Sequence, residues 1–314
     1  METALKAIAV LLAGGFIGMV LMLVRQCFPG WASDAAIARG AGLALLSICI
    51  ALPLSLLVTV LAYHGDKPGV VFAAYVTAGL AEESARYVAL LLLLRGMVTK
   101  DPREFIAGVA AIGIGFGLIE NLGYLSSNNG VKFGHVQLGA IRGVVSAPGH
   151  LGFAFISAYG LWSVARRGAP FYVAISTYLA AVLLHGTFEV TAMSSPDPSQ
   201  PNLGGMNPFV FGGLGLAFTL TTVTITIATL HVLGKFLEWA SETEGHDQRA
   251  TAGLVPVWST LSALLAAAAI GFAAMPLLVA AVASTNTALI YTPVLIGAAG
   301  STALWSMAIG QLSE

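Results

Sequence analysis

Charge is what this chain has least of. Lys, Arg, Asp and Glu together make up 9% of its 314 residues, whereas soluble domains carry roughly 25%. With 57% hydrophobic residues and a mean hydropathy of +0.86, a soluble globular fold is excluded and an integral membrane protein is implied. The formal net charge of -1 and the lack of any basic stripe interleaved with aromatics leave no reason to expect a nucleic-acid partner. Cysteine is scarce as well. Cys27 and Cys49 alone exclude a disulfide framework and a cysteine-rich metal site. Long polar interruptions occur only as loops, so 1–314 reads as one polytopic domain in the lipid bilayer.

Crossing a hydrocarbon core takes about 20 apolar residues in a helix. Nine stretches qualify, near 7–24, 41–63, 70–94, 105–125, 138–164, 170–193, 208–232, 256–283 and 288–311. The expected fold is therefore all-α, a transmembrane bundle of about nine helices. The first stretch follows Lys6 as a signal peptide would, but it is long enough to span, Arg25 follows directly, and no small-x-small cleavage site closes it. Pro148, Pro256 and Pro276 are expected to kink or shorten their helices. Of the eleven Lys and Arg residues in the connections, nine lie on the odd-numbered ones: Arg25, Arg39, Arg95, Lys100, Arg103, Arg166, Arg167, Lys235 and Arg249. Only Lys67 and Lys132 lie on the even ones. Basic loops stay inside, so the N-terminus is expected outside and the C-terminus in the cytoplasm, in a bacterial cytoplasmic membrane. The Pro- and Gly-rich loop 194–208 divides a polar-studded part from a nearly featureless one. Residues 70–193 are thus the expected catalytic core, and 208–311 accessory helices.

Four consecutive expected helices place ionisable groups at membrane depth, where an isolated charge is costly and usually functional. The first of them carries Glu82, Glu83 and Arg86; the next carries Glu120 and Asn121; then come Arg142 and His150, and finally His185 and Glu189. Residues three or four apart share a helix face, so Arg86 can reach back to Glu82 or Glu83, and His185 lies over Glu189. Glu82 and Glu83 diverge by about 100°. They are therefore expected to divide the work, one activating water and the other holding Arg86 or a neighbouring helix. Gly113, Gly115 and Gly117 are expected to form a smooth face beside Glu120 for close helix approach. Blander roles have weight: Arg86 with one glutamate as structural glue, Arg142 snorkelling to the surface, and His64, His135, His231 and His246 as boundary or loop residues. As a set, however, four glutamates and two histidines supply general acid and base, or the ligands of a metal with a water on it.

The motifs resemble those of the PrsW family of intramembrane proteases, part of a wider group with the CAAX prenyl-protein proteases and bacteriocin-processing relatives. The family's EExxK is matched by Glu82-Glu83-Ser84-Ala85-Arg86, with Arg for Lys, and its FxxxEN by Phe116 through Glu120 and Asn121. A later histidine before small and aromatic residues corresponds to His150, and HxxxD to His185 through Glu189, with Glu for Asp. The resemblance covers roughly 70–193 and implies hydrolysis of a peptide bond in or beside the membrane. Glu82, Glu83, Glu120, His150 and His185 are the implied catalytic residues, with Arg86, Asn121 and Glu189 orienting them. The implied partner is a membrane protein substrate, an anti-sigma-factor-like or other single-span protein.

In this reading a water sits between Glu82 or Glu83 and His185, while His150 and His185 polarise the scissile carbonyl. Glu120 and Asn121 orient one of the histidines. Relatives include both metalloproteases and metal-free glutamate proteases, so the cofactor stays open. If zinc is bound, His150, His185 and one of Glu82, Glu120 or Glu189 supply three ligands and leave a position for water. Two rival readings use the same residues. A proton-coupled transporter or channel also strings Glu and His across helices, although no inverted repeat is evident. A non-catalytic membrane scaffold would keep the cluster for helix association.

Overall fold

The computed structural model describes residues 33–62, 69–97, 101–126 and 146–193, and many of the residues between 220 and 242. The expected helices 7–24, 256–283 and 288–311 lie outside the described residues, as do the loop 194–208 and Lys6, Cys27, Lys132, Arg142 and Arg249. The described residues are helical, and none forms a strand.

Helix α1, Asp34–Ala62, starts well before the expected position 41. Its start follows from local chemistry. Ser33 accepts a hydrogen bond from the Ala36 amide through its hydroxyl, and Asp34 sits in the positive first turn. Arg39, expected in a connection, therefore lies in the second turn of a helix. It still marks a helix end, because its guanidinium donates to the Gly96 carbonyl at 2.8 Å. Pro53 lies inside α1 without ending it. Leu45, Leu52 and Leu56 on this helix are exposed, an apolar face suited to lipid.

Helix α2 runs from Val70 to Gly96 in three parts: α-helical Val70–Phe72, a π-helical stretch Ala73–Leu80, and α-helical Ala81–Gly96. The π stretch was not anticipated. Ser55 of α1 donates to a carbonyl of this stretch, that of Thr77, at 2.9 Å. Helix α3, Pro102–Ser126, starts where Asp101 accepts the Arg103 amide and Pro102 occupies the first turn. Helix α4 is described over Ala147–Arg167 and ends at Gly168, whose φ of 72° suits glycine. The Ala169 amide then reaches back to the Ser163 carbonyl, and Pro170 leads into α5, Phe171–Met193. That tight turn sets α4 and α5 antiparallel.

Helix α2 packs against all four of the others, α1 packs on α3, α3 on α4, and α4 on α5. The ionisable helix is thus the central one, which explains how it tolerates its charges. Glycines permit the close crossings. A Cβ on Gly40 would lie 2.4 Å from the Gly108 carbonyl oxygen, and one on Gly79 would lie 2.9 Å from that of Val182. The expected single glycine face is corrected: Gly113 meets α4, whereas Gly115 meets Ala44 of α1. Two residues apart are about 200° apart around a helix, so they cannot share a face. The main core joins Leu90, Leu93, Phe105, Ile112 and Trp162 with Phe236 and Trp239 from the 220–242 region. Helices α1, α3 and α5 contain segments long and apolar enough to cross a membrane. The chain is a membrane protein.

Candidate active site

Helix α2 presents Glu82, Glu83 and Arg86 to the interior just after the π stretch. Glu83 and Arg86 are each 1% exposed and form an ion pair one turn apart. Glu83 Oε1 also accepts from His185 Nδ1 of α5 at 2.7 Å. The other nitrogen of the ring, Nε2, stands 3.8 Å from Glu82 Oε2. Arg86 reaches past Glu83 to donate to His150 Nδ1 of α4 at 2.9 Å, and His150 Nε2 meets Glu120 Oε2 of α3 at 2.5 Å. Four helices are therefore joined through one chain of polar contacts.

The donors fix the proton positions. A guanidinium only donates, so His150 Nδ1 accepts and the neutral ring carries its proton on Nε2, towards Glu120. Glu83, held by Arg86, accepts from His185, so that ring carries a proton on Nδ1 and turns Nε2 towards Glu82. The two adjacent glutamates have separated as their 100° offset requires. Glu83 is committed to Arg86 and His185. Glu82 is 18% exposed, and its buried Oε2 has no hydrogen-bond partner.

Apolar rings wall the cluster. The Arg86 guanidinium lies 4.3 Å above Phe116, and Phe153 stacks on His185 at 4.6 Å. Asn121 and Glu189 are buried, next to Glu120 and one turn beyond His185 respectively. A cavity of about 160 Å³ lies at the other end of the bundle, beside Ser33, Arg39, Met97 and Glu104, and holds none of these groups.

Among the described residues, Glu82, His150 and His185 form a group whose ligand atoms all lie within 4.8 Å of one another. The residue types fit a divalent metal. One oxygen of Glu82 is orphaned, His185 has a carboxylate behind its far nitrogen as metal-bound histidines usually do, and one guanidinium stands against several carboxylates. Donors around an ion at about 2.1 Å are at most about 4.2 Å apart, so the three atoms would close slightly, and His150 would give up its contact to Arg86 or its Nε2 proton to bind. Of the glutamates open to the metal role in the sequence, the structure brings Glu82 into this group.

The model of the PrsW family intramembrane metalloproteases matches residues 28–212. The chain belongs to that family. Protease PrsW of Clostridioides difficile (strain 630) is 29% identical over 159 residues, taking in 48% of this chain and 63% of that protein. The chain thus spans less than two thirds of the curated relative's length. No solved structure matches it.

Within this PrsW-family chain, the expectation that His185 sits by the glutamate pair is met at 2.7 and 3.8 Å. Glu120 contacts His150 at 2.5 Å. Phe153 escaped the sequence reading. Its signal was spacing alone, since it follows His150 by three residues and shares its face.

Proposed function

We propose that the chain is an intramembrane endopeptidase in which Glu82 activates the attacking water. The observation that carries this reading is the contrast between the two glutamates: each keeps a buried Oε2 without a partner, but Glu83 is held through Oε1 by Arg86 and His185 and is 1% exposed, whereas Glu82 is 18% exposed and its Oε2 stands 3.8 Å from His185 Nε2. A water bridging those two atoms lies within hydrogen-bond reach of both. Glu82 takes its proton, the hydroxide oxygen attacks the scissile carbonyl carbon, and the proton passes to the departing amide nitrogen. His150 Nε2–H, presently directed at Glu120, is the donor for the carbonyl oxygen.

Glu82, His150 and His185 are also the residues that would hold a zinc ion. A bound metal would polarise the carbonyl and acidify water. With Glu82 and the histidines so engaged, Glu120 is the carboxylate left to carry the proton.

Orientation and depth follow from the helix ends. Arg39, Gly96, Arg103 and Arg167 mark one end of the bundle, which we place in the cytoplasm. Glu82 lies about 21 Å along its helix from Gly96, and Glu120 about 27 Å from Pro102, at 1.5 Å per residue. In a hydrocarbon core of about 30 Å, the cluster occupies the outer half. The substrate is accordingly a membrane-spanning protein cut towards its outer border.

The test is cleavage of a single-span substrate by purified protein in liposomes, with metal content measured on the same preparation. Cleavage by the wild type and none by Glu82→Gln is expected. A Glu82→Gln variant as fast as the wild type would sink the assignment.

A further inference from the structure

We infer that Phe153 is a positioning residue for His185, backed by Ile225. This rests on the proteolytic reading of the site. An imidazole held by one hydrogen bond can still swing about that bond, and the Nδ1 contact to Glu83 alone leaves the direction of Nε2 open. The Phe153 ring removes that freedom. It lies nearly parallel to His185, with 16° between the planes and 4.6 Å between centres. The same ring meets His150 edge-on at 6.1 Å and 89°. One side chain therefore sets the plane of one histidine and borders the other, while being 1% exposed and so unable to touch a substrate.

Phe153 is itself held. It packs with Ile156, Ala181, Phe188 and Ile225. Ile225 seats against Gly152, where a Cβ would come within 2.4 Å of the Ile225 Cγ2 atom. Residue 225 lies beyond the 28–212 covered by the family match. The buttress of the histidine thus extends outside the region in which the motifs occur.

The experiment compares Phe153→Leu, Phe153→Tyr and, as a core control away from the histidines, Phe236→Leu. Two readouts are taken: kcat and KM on a single-span substrate in liposomes, and histidine-selective NMR in micelles with His185→Gln for assignment. Loss of a residue that orients an active-site group costs about 10- to 100-fold in activity. The expected result is a fall of that size in kcat for Phe153→Leu with KM within about twofold, near wild-type kcat for Phe153→Tyr, and unchanged kcat for folded Phe236→Leu. The His185 ring protons should be shifted upfield by the stacked ring in the wild type and in Phe153→Tyr, and not in Phe153→Leu. Wild-type kcat in Phe153→Leu, or no upfield shift in the wild type, would overturn the inference. A wild type that cleaves nothing would count against the protease reading, and the NMR comparison would still decide the position of Phe153.

Discussion

Glu82 and Glu83 differ because their helix turns by about 100° between them, and the consequence is measurable. Removing a positioned general base costs about 10²- to 10⁴-fold, so Glu82→Gln is expected to lose that much cleavage while accumulating normally in the membrane. Glu83→Gln should also lose stability, because breaking a buried ion pair and leaving one charge behind costs about 3–5 kcal/mol. Thermal aggregation in detergent, read beside the cleavage rate, separates the two effects; equal stability of both variants would contradict this division. Arg86 supplies a second case. Its two terminal nitrogens reach Glu83 and His150 together, which a single ammonium does not reproduce. Arg86→Lys is expected to fold but to cleave about 10- to 100-fold more slowly, and a wild-type rate would show that the His150 contact contributes nothing. The identity of these residues was legible in the sequence, since charges are rare at membrane depth. Which glutamate takes Arg86 was not, because both lie within one turn of it and α5 decides the matter through His185.

Helix crossings, rather than single contacts, bring Glu120 to His150. At Gly113 a Cβ would lie 2.8 Å from the Leu151 Cα and 2.9 Å from the His150 carbonyl oxygen. Backbone cannot move aside as a flexible side chain can. Gly113→Ala is therefore expected to push α3 from α4, costing about 1–3 kcal/mol and most of the cleavage. Gly42→Ala, with nothing within 4 Å of its Cβ, should change neither. If the two variants behaved alike in cleavage and detergent melting, the crossing would not be what holds the site together. The order of these helices could be read from hydropathy. The π stretch Ala73–Leu80 could not: it keeps an apolar composition and changes only the hydrogen-bond register, which composition does not record. The start of α1 was missed for a related reason. Asp34 and Arg39 look like loop residues on a hydropathy scale, yet Asp34 sits in the positive first turn of α1 and Arg39 is satisfied by the Gly96 carbonyl at the C-terminal end of α2.

At the scale of the whole molecule, the basic residues and the polar cluster define opposite ends. Arg39 bonds to Gly96, Arg103 pairs with Asp101, and Arg167 pairs with Glu242. These contacts gather the N-terminal end of α1, the α2–α3 and α4–α5 connections and the 220–242 region on one side. The charge count along the loops anticipated this end. It could not show that Phe236, 1% exposed, and Trp239 would enter the main core from beyond the family motifs, because an apolar helix is equally suited to lipid or to protein. Burial of this kind makes Phe236→Ala costly, by about 3–5 kcal/mol, to be read as a lowered melting temperature. The two ends also allow a test of direction. A cytoplasm-active reporter inserted at 98–100, between α2 and α3, is expected to work, and the same reporter inserted after Ser126 is not. The opposite pattern would invert the bundle. It would also move the cluster, about 21–27 Å from the basic end at 1.5 Å per residue, into the inner half of the membrane. With the expected orientation, mass spectrometry of the products should place the cut in the outer half of the substrate's span, since Glu82 and Glu120 can meet only the peptide bonds at their own depth. A cut near the cytoplasmic border would require the substrate to slide by most of the bilayer thickness, and would remove Glu82 as the residue that activates the water.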